Sequence, residues 1–192
     1  MKMLEERILQ EAAVLPGNII KVDGILNHRV DIFLIRSIAK EFKRIFKDTK
    51  PSIILTAEAS GIAIATLVAN EFNLPFIFAK KAKSSKMQGA LYKSDIYSYT
   101  YEQKVTWFVE QKWLTKDSRV LIIDDFLARG EALRGLIDIV KQSGATVSGI
   151  GIVIEKTFQK GGDEIRGLGY NICSLAEIES LDNGNIKFRH RV

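Results

Sequence analysis

The sequence predicts a doubly wound α/β domain, in which a mostly parallel sheet is covered by helices on both faces. Residues 52–57, 119–123 and 148–154 are almost continuously apolar, as is typical of strands buried on both sides. Between such segments lie stretches whose apolar residues recur at helical spacing. This alternation of strand and helix favours a parallel sheet with helices on both faces over a sandwich or a helical bundle.

The first half of the chain contains five predicted elements after a short N-terminal helix over residues 3–13. Residues 18–26 are expected to be extended, and Asp31 is placed to cap a helix through residue 46. A strand over 52–57 then leads through the turn 58–61 into a helix over 62–72, and the next strand follows at 76–79.

The second half repeats the pattern after a polar interruption. Residues 91–110 are rich in Tyr, Ser and Thr, which predicts a polar hairpin outside the core. A strand over 119–123 and an amphipathic helix that ends at Gly144 come next. Two further strands, 148–154 and 170–178, flank a short helix over 163–168. With no repeat and no linker, residues 1–192 are expected to form one domain.

Composition narrows the function classes. The single cysteine, Cys173, excludes an intramolecular disulfide, and no apolar run reaches the roughly 20 residues that cross a bilayer. We therefore expect a cytoplasmic protein with no membrane partner. The net charge of +5 is spread along the chain, with its tightest cluster at residues 80–86. This distribution fits a small anionic substrate at least as well as nucleic acid, and we expect no nucleic-acid partner.

Residues 120–132 carry the strongest chemical signal. Asp124 and Asp125 end an apolar strand, where unpaired charges would be costly inside a core. The next turn contains Ala128 and Gly130, which are small enough to let backbone N–H groups approach an anion at the start of a helix. The acids could accept hydrogen bonds from sugar hydroxyls while the turn holds a phosphate. The alternative is a strand that ends in a solvated acidic turn.

This motif resembles the 5-phosphoribosyl pyrophosphate (PRPP) site of type I phosphoribosyltransferases. Along essentially its full length the chain is similar to the bacterial xanthine phosphoribosyltransferases, through the segments KVDGILNH, EASGIA, LIIDDFLARG and GIGIVIEKTFQ. The resemblance implies the type I fold and transfer of 5-phosphoribosyl from PRPP to N9 of xanthine, forming xanthosine monophosphate and pyrophosphate. It also implies a homodimer, and Mg²⁺ held mainly by PRPP and waters.

The resemblance also assigns roles to the PRPP site. Asp124 and Asp125 would contact the ribose hydroxyls at the catalytic centre, and the 5-phosphate loop would consist of Ala128, Arg129, Gly130, Glu131 and Ala132. Position 129 more often carries a small polar residue in the family. Arg129 either strengthens phosphate binding or points to solvent, and we favour the latter because the backbone makes the specific contacts.

Pyrophosphate would lie at the turn of Glu58, Ala59, Ser60 and Gly61, where Ala59 replaces the more usual serine. Lys80, Lys81 and Lys83 would stabilise the leaving group. Residues 84–100 resemble the mobile lid of the family, with Tyr92 and Ser94 as candidate phosphate contacts. Without the resemblance, the turn at 58–61 is better explained as purely structural, and the lysines could equally form a solvated basic loop.

The base site is expected in a small hood formed by residues of about 14–30 and 155–160. Its candidate residues are Ile20, Asn27, Lys156 and Phe158. Asn27 offers a donor and an acceptor to the ring edge of xanthine, Lys156 a donor to a purine carbonyl, and Phe158 a surface for the purine face. Without the full-length resemblance, Asn27, Lys156 and Phe158 would be better explained as a turn former, a surface charge and a core residue.

Two classes of alternative stay open. A hypoxanthine–guanine or adenine phosphoribosyltransferase would share the PRPP site and differ in the hood. A PRPP-sensing regulator that binds nucleic acid would keep the fold, but about 30 residues before the first core helix leave no room for a helix-turn-helix domain.

Overall fold

The computed structural model describes residues 1–82, 89–98, 103–182 and 184–190. The strands are β1 (Ala13–Leu15), β2 (Ile19–Lys21), β3 (Ile53–Ala57), β4 (Phe76–Ala79), β5 (Leu91–Ser98), β6 (Gln103–Glu110), β7 (Arg119–Leu127), β8 (Thr146–Lys156), β9 (Ile172–Asp182) and β10 (Asn185–Phe188). The α-helices are α1 (Lys2–Glu11), α2 (Ile32–Phe46), α3 (Ser60–Phe72), α4 (Glu131–Gln142) and α5 (Gly161–Gly167).

A six-stranded sheet with the order β10-β9-β8-β7-β3-β4 forms the centre of the molecule. All neighbouring strands are parallel except β10, which runs antiparallel to β9. Two apolar clusters cover its faces: one contains buried residues of α1, α2 and α3, the other those of α4 and of strands β5 and β6. The predicted α/β class and parallel sheet are confirmed.

Local sequence signals explain where α2 and β8 lie. Asp31 caps α2 as expected, because the backbone N–H of Leu34 donates a 3.1 Å hydrogen bond to Asp31 Oδ1. In β8, Gly149 and Gly151 leave room for the rings of Phe46 and Phe42, since a Cβ at either glycine would lie less than 3 Å from ring atoms. These glycines therefore let α2 pack directly on the sheet.

Two predictions about local structure were wrong. Residues 18–26 are extended only at β2, after which residues Asp23–Asn27 form a π-helical turn. The β5–β6 hairpin, expected outside the core, buries Ile96, Trp107 and Val109. It packs on α4 at Gly135, where a Cβ would lie 2.5 Å from Ile96 Cγ2. Among the described residues, no helix is long and apolar enough to cross a membrane.

Candidate active site

The carboxyl ends of β3, β4, β7 and β8 lie along one edge of the sheet, because these four strands are parallel and hydrogen-bonded in the order β8-β7-β3-β4. The segments that follow them are the same ones that the sequence singled out for chemistry. In open α/β sheets, ligands bind in the crevice outside these strand ends. This edge is therefore the candidate active site.

The acid pair lies at the end of β7. Asp124 is buried with 5% of its surface exposed, and its Oδ1 accepts a 3.1 Å hydrogen bond from the backbone N–H of Asp125. Burial, and next the charge of Asp125, raise the pKa of Asp124 well above the usual carboxyl value, and the charge of Lys81 opposes this in part. Asp124 is thus a desolvated carboxyl group placed to accept hydrogen bonds at the end of β7.

The turn after β3 adjoins this acid pair through Gly61, the second residue of α3. A Cβ at Gly61 would lie 2.1 Å from Thr56 Oγ1 and 3.6 Å from Asp124 Oδ1, so only glycine lets the helix start approach so closely. The hydroxyl of Thr56 is buried and makes no hydrogen bond within the described part of the chain. Sequence reasoning did not identify Thr56, which reads as an ordinary strand residue.

The same turn is tied to the segment after β4. The peptide between Glu58 and Ala59 is cis, and α3 begins at Ser60. The carboxylate of Glu58 accepts a 2.5 Å hydrogen bond from the backbone N–H of Lys81, and the Glu58 N–H donates to the carbonyl of Ala79 at 3.1 Å. Glu58 therefore holds the Lys81 backbone beside the turn instead of presenting a bare carboxylate to a ligand.

Lys80 connects the site to the hairpin. It exchanges two backbone hydrogen bonds with Phe108 of β6, of 3.0 and 2.9 Å. Tyr92 is half-buried in β5, whereas Ser94 is buried against α4, which disagrees with its expected place on a lid. Lys83 lies outside the described residues, as do residues 84–88 and 99–100 of the expected lid.

The loop after β7 has the form expected of an anion site. Gly130 adopts a left-handed conformation with φ of 85° and directly precedes α4. Arg129 is exposed, while Glu131 and Ala132 start the helix and are half-buried. Backbone N–H groups at such a helix start attract a phosphate.

At the end of β8, Lys156 joins this edge to the N-terminal segment. Its Nζ donates a 2.9 Å hydrogen bond to the carbonyl of Asn18 and lies 5.3 Å from the ring centroid of Phe126, the residue after the acid pair. Burial lowers the pKa of Lys156. Ile20 is buried, and Phe158 is half-buried against the core. Asn27 ends the π-helical turn, and its side chain lies outside the described set.

The sequence did not predict a buried ion pair at Glu155, the residue before Lys156. Glu155 is 1% exposed and accepts hydrogen bonds from Arg166 of α5, at 2.9 and 2.5 Å, and from the hydroxyl of Ser174. A charged residue inside the apolar run GIVIE was the one available signal for this pair. In the described part of the chain, no three His, Cys, Asp or Glu side chains cluster as a metal site.

Comparison with known proteins identifies the family of this chain. The family model of the phosphoribosyl transferase domain matches residues 21–168. A xanthine phosphoribosyltransferase of Lachnoclostridium phytofermentans is 51% identical over 191 residues, 98% of both chains. One of Bifidobacterium adolescentis is 48% identical, over 98% of this chain and 100% of its own.

The solved structures that resemble this fold include two adenine phosphoribosyltransferases. That of Trypanosoma brucei, in complex with AMP, pyrophosphate and ribose-5-phosphate, has a TM-score of 0.75 at 23% identity and covers 91% of this chain and 79% of its own. That of Giardia lamblia, with 9-deazaadenine, has a TM-score of 0.76 at 20% identity, with 92% and 98% covered. Fold and sequence together show that the chain belongs to the phosphoribosyl transferase family, in the group of the xanthine phosphoribosyltransferases.

Proposed function

We propose that this protein transfers the 5-phosphoribosyl group from PRPP to N9 of xanthine, as a purine salvage enzyme. The observation that carries the proposal is the convergence at one sheet edge of the acid pair Asp124–Asp125, the turn at Gly61 and the loop at Gly130. An acid pair between two anion-binding turns matches a sugar that carries a phosphate at one end and a pyrophosphate at the other. The relatives' names supply the identity of the base.

The reaction exchanges one bond at C1 of the ribose for another. The C1–O bond to pyrophosphate breaks and its electron pair leaves with the oxygen. The lone pair of N9 forms the new C1–N9 bond, and the base releases one proton to water. Asp124 and Asp125 accept hydrogen bonds from the ribose hydroxyls, which fixes the sugar while positive charge develops on it. Lys80 and Lys81 stabilise the departing pyrophosphate, whose charge grows during the step.

Base recognition is assigned to the end of β8 and the segment that it contacts. Lys156 already donates to the carbonyl of Asn18, so its remaining protons can reach a carbonyl oxygen of xanthine. Ile20 and Phe158 offer apolar surface beside it. Asn27 follows in the same N-terminal segment and is proposed to pair with the ring edge of the base.

Magnesium is proposed to enter with PRPP. The oxygen-rich site, with the carboxylates of Asp124 and Asp125, suits an ion that prefers oxygen ligands and keeps several waters. When bound, Mg²⁺ supplies positive charge that stabilises the pyrophosphate. We also propose that the protein is cytoplasmic. It is proposed to form a homodimer, because α1 and α2 expose apolar side chains such as Phe33.

Turnover of individual purines tests the proposal. The full chain is incubated with PRPP, Mg²⁺ and xanthine, guanine, hypoxanthine or adenine in turn, and nucleotide formation is followed. Xanthine is expected to react with the highest kcat/KM, and omission of Mg²⁺ is expected to abolish turnover. Preference for adenine would contradict the base assignment, and failure of every base would contradict the enzyme itself.

A further inference from the structure

Arg134, on the second turn of α4, bonds back to the loop that precedes its own helix. Its Nη1 donates a 2.7 Å hydrogen bond to the carbonyl oxygen of Arg129. Its Nη2 forms an ion pair with Glu164 of α5, and Glu131 lies 3.7 Å from Nη1. The guanidinium is therefore held between two helices while one of its protons fixes a loop carbonyl.

Gly161, the first residue of α5, lies against the same side of the loop. A Cβ at this position would be 2.4 Å from the carbonyl oxygen of Ala128 and 2.7 Å from that of Arg129. Two successive carbonyl groups thus face α5. Real Cβ atoms do not come so close to backbone, so the contact needs glycine.

The direction of these carbonyls determines where the neighbouring N–H groups point. The peptide bonds after Ala128 and Arg129 are trans, because Glu58–Ala59 is the cis bond of the described chain. In a planar trans peptide the C=O and N–H bonds point in opposite directions. The N–H groups of Arg129 and Gly130 therefore point away from α5, toward the open side of the loop.

We infer that Arg134 is a positioning residue for phosphate binding, acting with Gly161 to keep the carbonyl side of the loop turned away from the ligand. A rotated Arg129–Gly130 peptide would aim a carbonyl dipole at the phosphate instead of an N–H, which replaces attraction by repulsion. Arg134 itself does not touch the substrate. This inference rests on the proposed function, in which the loop binds the 5-phosphate.

Binding of ribose 5-phosphate and of pyrophosphate to the full chain, by titration calorimetry, separates this role from general stability. Arg134→Met is expected to weaken ribose 5-phosphate about tenfold, the effect of losing one charge-assisted hydrogen bond. Pyrophosphate should bind within about twofold of wild type, because its proposed site lies at residues 58–61 and keeps its geometry.

Arg119→Met is the matched control. Arg119 also donates to backbone carbonyls, those of Lys50 at 3.0 Å and Thr49 at 2.6 Å, but at the other end of β7. Arg119→Met removes the same kind of interaction far from the loop, so ribose 5-phosphate and pyrophosphate should both bind as in wild type. If Arg119→Met weakened the binding of ribose 5-phosphate to the same degree, general destabilisation would explain the effect of Arg134→Met, and the inference would be overturned.

A second variant keeps every charge. Gly161→Ala pushes a methyl group toward the two carbonyls and is expected to weaken the binding of ribose 5-phosphate. Gly167→Ala in the same helix, with open space around its Cβ position, is not expected to weaken it.

The loss of ribose 5-phosphate affinity in Arg134→Met should persist at 1 M salt, where charges are screened beyond about 3 Å.

Three further outcomes would overturn the inference. Disappearance of the Arg134→Met effect at high salt would mean long-range attraction by the guanidinium rather than loop geometry. Wild-type affinity for ribose 5-phosphate in Arg134→Met or Gly161→Ala would remove the positioning role while leaving the proposed function intact. A wild-type protein that binds no ribose 5-phosphate would contradict the proposed function as well.

Discussion

Asp124 combines two properties that oppose each other in the free protein. Its carboxylate is buried beside Gly61, at a place where a sugar hydroxyl can reach it, yet Asp125 adds a second negative charge next to it. Both effects favour the protonated form, so the charged form, which the proposed function needs to accept hydrogen bonds from the sugar, is destabilised in the ligand-free protein. The residue most suited to hold the substrate is therefore a cost to the folded chain.

Replacing Asp124 by asparagine is expected to lower kcat by about 100-fold and to raise the melting temperature of the ligand-free protein at neutral pH. The pKa of Asp124 is raised on folding, so the unfolded chain releases this proton first as pH rises from about 4. As pH rises from the unfolded-state pKa, about 4, to the raised pKa of the folded state, the free energy of unfolding of the wild type falls. Asp124→Asn lacks this contribution.

Thermal melting of both proteins from pH 4 to pH 8, without ligand, measures the difference. Asp117→Asn, at an exposed position before β7, is the matched control and should melt like wild type at each pH. If the gap between wild type and Asp124→Asn stays constant from pH 4 to pH 8, the burial of an ionisable Asp124 does not explain it.

The sequence predicted some residues of this site and not others, for a physical reason. Asp124, Asp125 and Gly130 follow one another in a single strand–turn–helix motif, so their proximity is local. Arg134 and Thr56 gain their significance from contacts with α5 and with Gly61, which the chain brings close only after folding. Spacing along the sequence contains no signal for such contacts.

At the scale of elements, α5 is short but firmly attached to the sheet. Arg166 forms a pair of hydrogen bonds with the buried Glu155, and Gly162 allows the close approach, since a Cβ there would lie 2.0 Å from Glu155 Oε1. A seven-residue helix has little stability of its own. The ion pair thus fixes both α5 and, through Gly161, one side of the phosphate loop.

Loss of this attachment is expected to destabilise the whole protein. Arg166→Met removes the cation that is paired with buried Glu155 and should cost about 3 kcal/mol of unfolding free energy. Arg166→Met/Glu155→Gln should recover part of that loss, because it also removes the negative charge of the buried carboxylate. Urea denaturation of each variant provides the measurement.

Arg44→Met is the control for this prediction. Arg44 makes a comparable two-bond pair with Glu41, at 3.0 and 2.7 Å, but on the exposed surface of α2. Water can solvate the Glu41 carboxylate after the change, so the free energy of unfolding should hardly change. Equal losses for Arg44→Met and Arg166→Met would show that burial of Glu155 is not what makes its pair important.

The elements that the sequence predicted best are those whose patterns are set by burial on both sides. The central strands and α2 follow from continuous apolar runs and from the Asp31 cap. The prediction that the β5–β6 hairpin lies outside the core was wrong, because its composition is mostly polar although alternate residues pack on α4. Gly135 provides the space for them. A tertiary contact, not the local pattern, decides whether such a strand is buried.

Across the whole molecule, the helices of one face leave apolar side chains outside the core. Leu9 of α1 is 58% exposed, and Ile32 and Phe33 at the start of α2 are 52% and 72% exposed. An exposed phenylalanine beside other large apolar residues is typical of a surface that a partner covers. The proposed partner is a second copy of this chain.

Phe33→Glu is expected to shift the protein from dimer toward monomer in sedimentation velocity experiments, because it places a charge on the apolar surface that the second copy would cover. Leu168→Glu provides the comparison, since Leu168 is 69% exposed but lies just after α5, on another part of the molecule. It should leave the dimer intact. If wild type and Phe33→Glu sediment alike as dimers, the subunits meet elsewhere, and if the wild type is a monomer, the proposed homodimer is wrong. Phe33 is exposed in the single chain, so its replacement should hardly change the unfolding of a monomer, and a shift in association can be attributed to the interface.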